Sequence, residues 1–169
     1  MSCFSKISPE QIENSIRLIG KDWMLITVSD KNNQKVNAMT ASWGALGVLW
    51  NKNVCICFIR PERYTHELIM DENEFSIAFF DENYRDALRL CGRESGRDFD
   101  KLDACGLTTQ KLDGVDVISE SKLVMICKKL YIDELKKSAF LDESLLKNYE
   151  NGGYHTVFVC EITGAYKGE

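Results

Sequence analysis

The chain is punctuated by short apolar runs rich in β-branched and aromatic residues, each stopped by turn residues. They are WMLITVS (23–29), VNAMTAS (36–42), VCICFI (54–59), EFSIAFF (74–80), KLVMICKKLYI (122–132) and YHTVFVCEIT (154–163). Runs of this length and composition read as strands. WMLITVS and VNAMTAS flank the polar DKNNQK and predict a hairpin; TTQKL and VDVI flank an Asp-Gly turn and predict another. Helical signals are short. Ser8 to Gly20 predicts a helix with Ser8 as cap, Pro9 in the first turn and Gln11 completing a capping box. Thr65 predicts the cap of a helix reaching about Met70. Tyr84, Ala87, Leu88 and Cys91 have helical spacing, closed by Gly92. A further short helix is expected from Asp98 to Gly106, and a helical excursion over 142–149. With no internal repeat and no linker, the reading is one domain spanning residues 1–169, a mainly antiparallel β-barrel with small helices.

Charge and composition narrow the function. A net charge of −5 argues against general nucleic-acid binding, which requires a basic face. No apolar run reaches the roughly 20 residues of a membrane span. The opening MSCFSKISPEQ lacks a signal-peptide core, so a cytoplasmic location is expected. The chain has seven cysteines and two histidines without paired-ligand spacing, which excludes an obvious zinc site. Most of the cysteines read as small buried hydrophobes; Cys55 and Cys57, two apart on a strand, face the same side.

Three polar clusters interrupt the apolar pattern, each at the end of a strand or helix, where binding groups are commonly displayed. The first is NAMTASWG (37–44), with Thr40, Ser42 and Trp43 closing a strand. The second is IRPERYT (59–65), where Arg60, Arg63 and Thr65 sit at a helix start. The third is CGRESGRDFDK (91–101). A hydroxyl, a guanidinium and free helix N–H groups together make an anion site. The bland reading is solvated arginines beside Glu62 and Glu67, Trp43 in the core, and His155 as a hydrogen-bonded structural histidine. GxGxxG, P-loop and GxSxG patterns are absent.

In this order and spacing, NAMTASWGALGVLW, IRPERYT followed by FSIAFFDENYRDAL, CGRESGRDFDK and the closing YHTVFVCEI resemble the flavin reductase-like family of FMN-binding split barrels, flavoredoxin-like proteins included. The resemblance runs from about Trp23 to Val159. It implies a homodimer binding FMN near the subunit boundary. Met39, Thr40, Ala41, Ser42 and Trp43 would line the isoalloxazine. Arg60, Arg63, Tyr64 and Thr65 would meet the ribityl and phosphate end. Phe80, Cys91, Gly92, Ser95, Gly96, Arg97 and Lys101 would close the pocket. The implied activity is NAD(P)H-dependent flavin reduction, with Trp43 and His155 beside the reacting rings and a redox protein or flavin-dependent monooxygenase as acceptor. Two other readings stay open: an FMN electron carrier reduced by a protein partner, and a non-redox barrel holding haem or another ligand. Many family members carry Gly-Asp-His before the last strand, whereas this chain has Gly153, Tyr154 and His155, so the acidic partner of the histidine is missing. Cys91, at a predicted helix C-terminus, is expected not to act as a nucleophile.

Overall fold

The computed structural model describes residues 3–169. In chain order the strands are β1 (Phe4–Ile7), β2 (Met24–Asp30), β3 (Lys35–Ala41), β4 (Gly44–Leu49), β5 (Lys52–Ile59), β6 (Glu74–Phe79), β7 (Thr109–Leu112), β8 (Val115–Ile118), β9 (Leu123–Glu134) and β10 (Thr156–Gly168). The α-helices are α1 (Ser15–Arg17), α2 (Tyr64–Asp71), α3 (Arg85–Arg93) and α4 (Lys101–Ala104). Every pairing among these strands is antiparallel.

The main sheet runs β3-β2-β6-β9-β10-β5-β4, with β1 added alongside β10. Its two ends, β3 and β4, are consecutive in sequence and are joined by Ser42 and Trp43 alone. Two residues span only about 7 Å. The sheet therefore curls until its edges almost meet, but β3 and β4 do not pair there. The result is a barrel split at Ser42 and Trp43.

One core fills the barrel. Phe75, Phe79, Phe158, Met24, Ile26 and Ile77 are almost fully enclosed in it, together with Cys55, Cys57, Cys127 and Cys160. Truncating one of these phenylalanines to alanine costs about 3–5 kcal/mol. A second core lies on the outer face of the sheet, where α3, α4 and the β7–β8 hairpin cover Leu25, Ala38, Ala78 and Val124. The β7–β8 hairpin turns through Asp113 (φ 47°) and Gly114 (φ 84°), the left-handed pair of a two-residue turn.

Several boundaries differ from the sequence expectation. The Ser8–Gly20 helix is broken. Its capping box is present, but it starts only a short 3-10 turn over Pro9–Gln11. Ile12 is extended and Asn14 left-handed (φ 54°), so α1 is one turn long and continues as a π-turn over Leu18–Asp22. Ile16, which helical spacing sets on one face with Ile12 and Ile19, is 89% exposed, whereas Ile19 is buried. Thr65 does not cap α2. Arg63 occupies that position without a side-chain cap, and the buried Thr65 hydroxyl accepts from Asn37 Nδ2 at 2.8 Å. Gly92 lies within α3 rather than beyond it. The next helix is capped by Asp100, not Asp98, and is a single turn. The excursion over 142–149 is 3-10, Glu143–Tyr149. Strands β1 and β4 carry no clean alternation, and the sequence reading did not separate them as strands. Both find their place by pairing, β1 with β10 and β4 with β5.

Candidate functional site

The split is where the polar clusters converge. Strand β3 delivers Met39, Thr40 and Ala41. The corner adds Ser42 and Trp43, the end of β5 adds Phe58 and Arg60, the start of α2 adds Arg63, and the last turn of α3 adds Gly92. With His155 at the entry to β10, these residues line a cavity of about 260 Å³. A smaller cavity of about 90 Å³ is lined by Thr65, Ser95, Gly96 and Lys101 together with Tyr64, Arg93 and the carboxylate-bearing Glu62 and Glu94. Met39 and Arg63 line both, so the two run into each other.

The positions are held by specific contacts. Thr40 Oγ1 donates to the Leu88 carbonyl at 2.6 Å, tying β3 to α3. Arg63 reaches back over Met39, donating to its sulfur at 3.1 Å and to the Gly92 carbonyl at 2.6 Å. Lys101, only 5% exposed, donates to the Cys91 carbonyl at 3.4 Å. Two carbonyls at the end of α3 thus hold both cations. Among the described residues, no carboxylate lies within ion-pairing distance of Arg63 or Lys101. Burial lowers the pKa of both groups, and the charge of Arg63 lowers that of Lys101 further. Glu62 and Glu94 lie nearby but pair with Arg60 and Arg93. Arg63 and Lys101, one half-buried and one buried, are thus neighbouring cations with no ion-paired carboxylate of their own, an arrangement that can receive an anion.

Gly96 matters through its size. A Cβ there would stand 1.9 Å from Asn37 Oδ1. A larger residue would push the Asn37 amide out of its hydrogen bond to Thr65, so the small residue lets the 94–97 turn lie against that pair and bring Ser95 over the smaller cavity.

Other predicted residues go elsewhere. Arg60 lines the larger cavity, yet its guanidinium donates to the Asn148 carbonyl at 2.7 Å and covers the Tyr149 ring at 5.3 Å. The Tyr64 hydroxyl donates to Asp30 at 2.5 Å, away from the split. Arg97 pairs with Glu67 at 2.7 Å, stacks over Tyr64 and, with Lys35 and Phe99, lines a third cavity of about 280 Å³ that adjoins the smaller one at Tyr64, Gly96 and Lys101. Phe80 packs against Tyr84 in the second core. The Cys91 thiol is buried there too, and burial, followed by the nearby Cys105, pushes its pKa up to about 12. It is therefore no nucleophile at neutral pH.

At the mouth of the larger cavity Trp43 is 47% exposed, with its ring 5.0 Å from that of His155. His155 Nδ1 is 2.8 Å from the hydroxyl of Tyr149. Burial, reinforced by the charge of Arg60, lowers the His155 pKa and keeps the ring neutral near pH 7. Sequence reasoning missed three residues here. Phe58 had a signal, since it alternates with the inward Cys57 on β5. Asn37 had one too, as an amide inside an apolar run. Tyr149 had none, because it belongs to the site only through the packing of the 142–153 excursion.

The flavin reductase like domain family matches residues 16–169, and the chain belongs to that family. Solved structures share the fold. The FMN-binding domain of a flavin reductases-like enzyme from Shewanella baltica OS155 superposes with a TM-score of 0.71 at 16% identity, over 98% of this chain and 78% of that one. Flavoredoxin from Methanosarcina acetivorans gives 0.66 at 21% identity, over 96% and 74%. The NADH:FAD oxidoreductase of Streptomyces globisporus C-1027 gives 0.63 at 16%, over 87% and 78%. Comparison with curated proteins gave no match. Among the described residues no helix is long and apolar enough to cross a membrane, and no cluster of side chains could hold a metal ion.

Proposed function

We propose that the chain binds FMN in the two joined cavities and acts as an NAD(P)H-dependent flavin oxidoreductase. One observation carries this reading: Arg63 and Lys101, neighbouring cations that no carboxylate ion-pairs among the described residues, adjoin a partly apolar cavity walled by Trp43 and Phe58. A flat ring with a phosphate tail fits that distribution of charge and surface, and a propionate-bearing macrocycle such as haem fits it less well.

In this reading Arg63 and Lys101 hold the phosphate, with the Ser95 and Thr65 hydroxyls near it. The groups of Thr40, Ala41 and Ser42 face the polar ring edge. Bound flavin supplies the redox chemistry, exchanging a hydride with a nicotinamide. Trp43 and His155 form the mouth through which a nicotinamide would enter, and they fix how long it stays in a productive pose. The electron acceptor would be a redox protein or a flavin-dependent monooxygenase.

Anaerobic rapid mixing of FMN-loaded protein with NADH or NADPH tests the reading through loss of flavin absorbance. Bleaching by one of the nucleotides is the expected result. Trp43→Ala should slow it roughly two- to tenfold while lowering FMN affinity less, given the worth of an aromatic contact. If dithionite bleaches the flavin and neither nucleotide does, the enzyme reading fails and an electron carrier reduced by a protein takes its place.

The proposed assembly is a homodimer. Val48 (72% exposed), Trp50 (57%) and Tyr131 (47%) leave an apolar surface on the β4 side, with Trp50 edge-on to Tyr131. Monomers seldom leave such aromatic surface unpartnered. Light scattering should give twice the chain mass, and Trp50→Glu should lower it towards that of one chain. A wild-type mass of 19.3 kDa across a range of concentrations would reject the dimer.

A further inference from the structure

We propose that Tyr149 is a positioning residue, which holds His155 as the tautomer protonated on Nε2 and directs that N–H into the cavity of the split. The inference rests on the reading of this cavity as the place where flavin and nicotinamide meet.

The argument follows from hydrogen-bond accounting. The Tyr149 hydroxyl is 2.8 Å from His155 Nδ1 and has no other partner among the described residues. Tyr149 is only 8% exposed, so a hydroxyl proton without an acceptor would be costly there. Burial also raises the Tyr149 pKa, so the phenol keeps its proton. If Nδ1 carried the imidazole proton, the phenol proton would have no acceptor. If the phenol donates to Nδ1, both groups are satisfied, and the one proton of the neutral ring must sit on Nε2.

Nε2 itself has no partner among the described residues, yet it is not one of their sealed, unpartnered polar atoms. His155 lines the larger cavity beside Trp43, so that nitrogen is open towards it. Tyr149 is locked in turn. Tyr154 stacks on its ring at 4.7 Å, Phe140 meets it edge-on at 5.7 Å, and Arg60 covers it. A residue from outside the barrel thereby supplies the orientation, since the neighbouring Tyr154 has its ring engaged in stacking.

The test is a long-range proton–nitrogen NMR spectrum of histidine-labelled protein without flavin, together with turnover kinetics. The chain has two histidines, and His155→Gln identifies the signals of His155. Wild-type protein should show a pyrrole-type Nε2 and a pyridine-type Nδ1. Tyr149→Phe should give a mixture of tautomers and raise the KM for the nicotinamide roughly three- to tenfold, as expected for one lost hydrogen bond, with kcat changed less. A pyrrole-type Nδ1 in the wild type, or an unchanged His155 spectrum in Tyr149→Phe, overturns the proposal. If the variant does not fold, the wild-type spectrum alone decides. Because the spectrum needs neither flavin nor nucleotide, it separates a failure of this inference from a failure of the functional reading, which would appear as FMN that no nucleotide reduces.

Discussion

Replacing Arg63 by alanine should weaken FMN binding by about tenfold to a hundredfold, the worth of one charge-assisted hydrogen bond to phosphate, and should change riboflavin affinity far less. Riboflavin has no phosphate, so the ratio of the two affinities isolates the anion site from the ring site. Lys101→Met should reduce FMN affinity in the same selective way, with an informative side effect. Lys101 is buried and lacks a carboxylate partner, so exchanging its ammonium for a thioether of similar shape should leave the protein as stable or make it more stable. Affinity and stability would then move in opposite directions, as expected of a charge kept for a ligand. Arg60→Ala should have the smaller effect on the FMN to riboflavin ratio, because its guanidinium is engaged by the Asn148 carbonyl and the Tyr149 ring. Fluorescence titration with both flavins measures all three variants. Equal losses for FMN and riboflavin in Arg63→Ala and Lys101→Met would remove the phosphate assignment.

Gly44→Ala should be the most damaging single-methyl change at the split. A Cβ at Gly44 would stand 2.6 Å from the backbone carbonyl of Ile56 and 3.1 Å from Met24 Cε. The methionine could move, but the carbonyl belongs to β5 next to the paired Gly44↔Cys57 register and cannot. Overpacking of this kind costs about 1–3 kcal/mol. For a domain of this size that lowers Tm by roughly 3–10 °C. Gly47 is a built-in control. It lies on the same strand, and an added Cβ there meets nothing within 4 Å, so Gly47→Ala should be close to neutral. Thermal unfolding of the two variants side by side reads the difference. Gly44→Ala should also disturb the placement of Trp43, its neighbour in the corner, and so slow flavin reduction in whatever fraction stays folded. Equal melting temperatures for the two variants would show that the corner does not depend on close approach of β4 to β5.

The two predictions draw on different kinds of information. Arg63, Thr40, Ser42 and Trp43 were legible in the sequence, because hydroxyls, an indole and arginines at the ends of apolar runs conflict with plain strand chemistry. The barrel was legible for a similar reason: Val, Ile, Phe and Cys in short runs between turn residues suit pleated, half-buried strands. The Asp113–Gly114 hairpin and the Ser8 capping box are local devices, and each forms where it was read. Helix length was not legible. The apolar spacing over Ile12, Ile16 and Ile19 is helical, but at residues 12–14 the chain leaves helical geometry and Ile16 faces solvent.

Residue types at strand and helix ends therefore suggested the proposed kind of site, an anion end beside an apolar one, because those chemical demands are local. Which residues share the site was decided by the tertiary structure alone. Closing the sheet at Ser42 and Trp43 brings β3, β5, α2 and α3 together from separate parts of the chain. It sends Arg97, Phe80 and the Tyr64 hydroxyl elsewhere, although they lie within the same short motifs. Direction around a helix turn, and the partner that an arginine or tyrosine finds first, depend on what packs opposite. The same holds for the histidine at the mouth. The residue before it is Tyr154, not an acid, and its hydrogen-bond partner, Tyr149, lies six residues upstream and reaches it through the fold of an excursion with no pattern of its own.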